Sequence, residues 1–69
     1  MNFKELDKLH SDYLNACESE FEMEKVFELA KKGLHIEQIR AEIKNIRDNG
    51  NLSKKPYFYV NRCLQIVDN

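Results

Sequence analysis

GLHIEQIRAEIKNIRDN, residues Gly33 to Asn49, is the stretch that decides the fold. Its isoleucines stand at Ile36, Ile39, Ile43 and Ile46, spaced three, four and three apart. That spacing places all four on one edge of an α-helix. Between them every position except Ala41 is polar or charged, so the helix has one narrow apolar seam and a wide wet face. A lone helix of this length is marginal in water, so the flanking segments have to cover the seam.

Upstream, the pattern predicts a helix over 20–32. Ser19 with Glu22 has the S-x-x-E form of a capping box. Glu20, Glu22 and Glu24 fill the first turn, as the helix dipole favours. Phe21, Met23, Val26, Phe27, Leu29 and Ala30 form a broad apolar face, and Gly33 suits the position just past the helix end. Further back, Asn2 with Glu5 reads as an Asn-led capping box opening a helix over 3–17. Its apolar side runs through Phe3, Leu6, Leu9, His10, Tyr13, Leu14 and Cys17. Downstream, Asn49-Gly50-Asn51 ends the isoleucine helix, itself expected over 35–48. Leu52 is expected to tuck into the core, and Pro56 to open a last helix over 56–67 with Ser53 or Lys55 as its cap. Tyr57, Val60, Leu64 and Val67 make one seam there, widened by Tyr59, Cys63 and Ile66. A face that wide belongs to the most buried helix or to one that meets a partner. The fold expected is all-α, a single domain over residues 1–69, a helical bundle of about four helices with a helix-turn-helix-like hairpin.

With 69 residues there is room for one small core, and such domains are marginal alone. A partner or a homodimer would add burial. The chain opens on Met1 with no basic, apolar, small-residue signal order, and its longest apolar run is Tyr57 to Val60, so a cytoplasmic protein with no membrane span is expected. Cys17 and Cys63 are 46 positions apart and read as buried thiols. The formal net charge of −1 conceals a split. Residues 1–30 carry eight acids and three lysines, whereas residues 31–69 carry eight bases and four acids. Either the halves pack together and their fields partly cancel, or each end meets a partner of opposite charge.

Catalysis needs a nucleophile with a base, paired carboxylates or a metal. Ser19 and Ser53 are explained as caps. His10 and Cys17 share a helix face but do not make a zinc site, and His35 and Cys63 lack the usual ligand spacing. No glycine-rich phosphate loop is present. No enzyme activity, metal or cofactor is expected.

Binding chemistry has three candidates. In the first, VFELAKKGLHIEQIRAEI forms a helix-turn-helix with Ala30, Gly33 and Ile39 at its packing positions. His35, Glu37, Gln38 and Arg40 would then lead the second helix into a major groove, with Glu37 and Glu42 opposing phosphate. A plain helix hairpin uses the same residues. In the second, LSKKPYFYVNRCLQ sets Lys54 and Lys55 before aromatic residues, with Arg62 one to two turns on. The lysines can hold phosphates, and Tyr57 or Tyr59 can stack on an unpaired base. Alternatively the rings are core and the lysines are solvated. With the isoleucine helix included, the nucleic-acid candidates are Arg40, Lys44, Arg47, Lys54, Lys55, Tyr57 and Arg62. In the third, the acidic strip around Glu20, Phe21, Glu24, Phe27 and Glu28 docks a basic protein.

The run EIKNIRDNG followed by LSKKPYFYVNRCL resembles the C-terminal part of bacterial DnaD-like replication proteins and related phage and plasmid initiators. Pro56, Tyr59 and Leu64 match that family's Pro-x-x-Tyr…Leu helix, and Gly33 to Ile39 resembles the start of the preceding helix. The similarity spans roughly residues 22–66. The tryptophan usual after the family's last helix is absent. The resemblance implies DNA binding and a part in assembling a replication complex. The expected function is thus a binding module of bacterial or phage DNA replication or its control. The alternative is a protein-interaction module (adaptor, inhibitor or homodimer) that does not touch nucleic acid.

Overall fold

The structure is a computed structural model that describes residues 2–18 and 21–68, with only the backbone of Phe21. Four α-helices run through the described residues, which contain no strand: α1 Phe3–Ala16, α2 Phe21–Lys31, α3 Ile36–Asn49 and α4 Lys54–Asp68. Each helix packs on the next, and α4 returns to α1, so the four close a ring around one core. The isoleucine seam points inward as its spacing requires. Ile39 and Ile43 are buried, and Ile36 and Ile46 flank the core. Val60, Cys63, Leu64, Ile66 and Val67 make α4 the largest contributor to that core. A globular monomer of this mass exposes about 4,500 Å². The 4700 Å² observed is close to that value.

The ends of the helices follow from local chemistry. The Asn2 side chain accepts the Glu5 N–H at 3.1 Å, the expected cap of α1. The reciprocal half of that capping box is diverted, because the Glu5 carboxylate pairs with Arg62 of α4. The Ser19 capping box and Glu20 lie outside the described residues. Gly33, at φ +70°, turns the chain out of α2, and His35 takes the same left-handed region at φ 53° before α3 begins. At the far end of α3, Asn51 and not Gly50 carries the positive φ of 50°. Gly50 answers instead to space: a Cβ there would stand 2.4 Å from the Ile46 carbonyl oxygen.

α4 begins at Lys54, two residues before the expected Pro56. The first three helical N–H groups have no intrahelical acceptor, so proline fits at the third position as well as at the first. Tyr57 is the first residue to need an acceptor, and its N–H donates to the Ser53 carbonyl at 3.1 Å. Ser53 therefore precedes the helix, and Lys55 lies inside the first turn rather than capping it. Three apolar assignments also change. Tyr57 is 44% exposed, outside the seam formed by Val60, Leu64 and Val67. Phe3 and Leu14 lie at the open edge of α1, with the Phe3 ring against Gly33.

Candidate nucleic-acid interface

Of the seven candidates Tyr57 is an exposed ring on the first turn of α4, and the six basic residues divide into two groups. The three arginines are held by the fold. Arg40 leans from α3 to form an ion pair with Asp68 at the end of α4. Arg47 Nε donates to Asp48 at 2.9 Å while its Nη1 donates to Asn61 of α4 at 3.2 Å. That hydrogen bond holds the Asp48 carboxyl below its ordinary range and raises the guanidinium. Arg62 pairs with Glu5 of α1, and its Nη1 donates to Gln65 at 3.2 Å. Lys31 Nζ likewise reaches Asp7 at 3.3 Å and Glu28 at 3.7 Å. The Arg62–Glu5 and Lys31–Asp7 pairs join the basic half to the acidic half, so part of the sequence asymmetry is internal compensation.

Lys44, Lys54 and Lys55 are the second group. All three are exposed and form no ion pair among the described residues. Lys44 shares the outer face of α3 with Glu37 and Asp48, so that face is net acidic, while Glu42 lies toward α2. Arg40, meanwhile, is turned toward α4. The α2–α3 hairpin thus exists, but its second helix presents a poor surface to phosphate.

The outer face of α4 is different. Lys54, Phe58 and Arg62 follow one another at i, i+4 spacing and form a row, with Lys55 and Asn61 beside it at i, i+3 from Phe58. From Asn49 to Val67 there is no acidic residue. Phe58 is 61% exposed, the most exposed large apolar side chain among the described residues. It is also braced. Its ring meets Tyr59 edge-on at 5.4 Å, Tyr59 meets Tyr13 at 6.0 Å, Tyr13 meets Phe27 at 5.6 Å, and Phe27 stacks on His10 at 4.6 Å. A file of aromatic rings thus runs from the α4 surface into the core. Sequence reasoning put the open ring at Tyr57 or Tyr59. Tyr57 is exposed, Tyr59 is half-buried, and Phe58, opposite Val60 on the helical wheel, is the most open of the three. The buried seam of Val60, Leu64 and Val67 was the signal that could have placed it.

Among the acidic-strip candidates, Phe27 is fully buried and stacked on His10, so it cannot contact a partner; the correction follows from its position at the centre of the α2 apolar face. Glu24 and Glu28 are exposed on α2, and Glu20 and the Phe21 side chain lie outside the described residues. A groove of about 370 Å³ lies between α2 and α3, with Val26 and Ile46 as its floor and Glu22, Lys25, Glu42 and Asn45 on its walls.

The reactive groups are enclosed. His10 is 5% exposed, its Nε2 has no partner, and burial, with the Lys31 charge, lowers its pKa from 6.5. Burial pushes the Cys63 thiol up to about 12, and Cys17 is a half-buried free thiol. Among the described residues no group of three His, Cys, Asp or Glu side chains could hold a metal. No helix among them is long and apolar enough to cross a membrane. The chain matches no family model, no curated protein and no solved structure.

Proposed function

We propose that this chain is a small non-enzymatic binding module that contacts nucleic acid through the outer face of α4, in the service of bacterial or phage DNA replication or its control. The observation that carries this reading is the first turns of α4, where no acidic residue stands in the sequence and the exposed Lys54 and Lys55, without an ion-pair partner among the described residues, lie one turn before the open ring of Phe58. Lysines free of internal partners release counterions from phosphate, whereas Arg40, Arg47 and Arg62 would first have to leave theirs. The resemblance of Pro56, Tyr59 and Leu64 to the DnaD-like pattern supports the replication setting.

Fluorescence anisotropy of labelled single- and double-stranded DNA tests the reading. Two phosphate contacts imply a slope of log affinity against log salt of roughly −1.4 for a single strand and −1.8 for a duplex. Binding with such a slope, abolished by Lys54→Glu with Lys55→Glu, is the expected result. No binding of either DNA at low salt rejects the reading. A module that meets only protein is the second reading, supported by the α2–α3 groove with its apolar floor and charged walls. Charge reversal at Glu22 and Glu42 would then remove function while reversal at the lysines would not.

A further inference from the structure

We propose that the nucleic acid taken by α4 is single-stranded, and that Phe58 is the platform on which one unpaired base stacks. The inference rests on the nucleic-acid reading above and adds the form of the strand. A solvated phenylalanine ring gains nothing by exposure, and the core of α4 is already complete without it. The ring is also held. Tyr59 contacts it edge-on and is itself packed on Tyr13, so little side-chain freedom is lost when a base covers the open face. Lys54 and Arg62 stand one turn to either side, about 6 Å along the axis. Lys54 and Lys55, which are exposed and carry no ion pair among the described residues, therefore bring flexible cationic side chains to the N-terminal flank of a stacked nucleotide, while Arg62 on the other flank is held by Glu5. Asn61 adds a neutral hydrogen-bonding group beside the ring, although its Oδ1 already accepts from Arg47. In a duplex every base face is covered by its neighbours, so a projecting ring finds no partner there. Only an unpaired base offers a face, and base–aromatic stacking tolerates any sequence.

The test uses the full chain with a fluorescein-labelled oligothymidine of about 12 nucleotides and an A·T duplex of the same length, at low salt. The expected result is an affinity for oligothymidine about tenfold or more above that for the duplex. Phe58→Ala should lose that tenfold for the single strand and leave duplex affinity unchanged, while Phe58→Trp should retain it. Phe58 lies outside the core, so far-UV circular dichroism and the thermal midpoint of Phe58→Ala should match the parent. Equal affinity for the two probes, indifferent to Phe58→Ala but lost with Lys54→Glu and Lys55→Glu, overturns the stacking proposal and leaves nucleic-acid binding standing. Binding of neither probe overturns both. Polyglutamate that competes as well as oligothymidine reassigns the surface to acidic protein and overturns the proposal.

Discussion

Mild acid should remove stability from this domain through one side chain, His10. The imidazole is 5% exposed, lies flat on Phe27 at 4.6 Å with an interplanar angle of 11°, and buries an Nε2 that has no partner. Protonation would place a charge in that site. Burial and Lys31 both oppose the charge, while Glu28, Glu24 and Asp7 favour it more weakly, and the outcome is a pKa below 6.5. The unfolded chain takes up the proton at the ordinary value and the folded chain only at a lower pH. Between the two the unfolded state binds more protons, so stability rises with pH. His10 therefore causes no loss above about pH 6.5, and stability falls as the pH drops toward the folded-state value. One proton limits the slope to about 1.4 kcal/mol per pH unit. Urea unfolding followed by circular dichroism, at steps between about pH 7.5 and 5.5, reads this slope. His10→Phe keeps a ring against Phe27 and removes the titration. The carboxylates are common to both proteins, so the difference between the two slopes isolates His10. Parallel slopes for parent and variant would refute the reasoning.

Two further outcomes follow from packing and backbone geometry. Phe27→Ala should cost about 3–5 kcal/mol. A single core in a chain this short rarely supplies more than about 3–5 kcal/mol, so the variant should be largely unfolded at room temperature by circular dichroism; a near-native thermal midpoint would place Phe27 outside the core. Gly33→Ala puts a Cβ at φ +70° and 3.4 Å from the Phe3 ring, and should lose about 1–2 kcal/mol in a urea titration. An unchanged midpoint would mean that the α2–α3 turn does not need the left-handed conformation.

The helices were legible because their signals are local. Four isoleucines at helical spacing placed α3, and Asn2 announced the start of α1, where its side chain does accept the Glu5 N–H. What the sequence hid is long-range or steric. Nothing near Glu5 in the chain says that its carboxylate meets Arg62, 57 residues away, or that Arg40 turns to Asp68. These pairs decide which basic residues remain available, so a list built on charge alone included three arginines that the fold already uses. Asn49-Gly50-Asn51 marked the end of α3 by residue type, but type alone did not say that Asn51 takes the positive φ while Gly50 stays at φ −85°. Tyr57, Phe58 and Tyr59 are adjacent aromatic residues, and only their phase relative to Val60 and Leu64 separates the exposed ring from the half-buried one. Phe27 was read as both core and docking surface, and its burial decides between the two.

The outer face of α4 is tested most directly by amide chemical-shift mapping of the isotope-labelled chain during titration with oligothymidine at low salt. The expected result is a set of shifts concentrated between Ser53 and Arg62, strongest at Lys54, Lys55 and Phe58, with the α2–α3 groove silent. Shifts confined to Glu22, Lys25, Glu42 and Asn45, or no shifts at all, would contradict it.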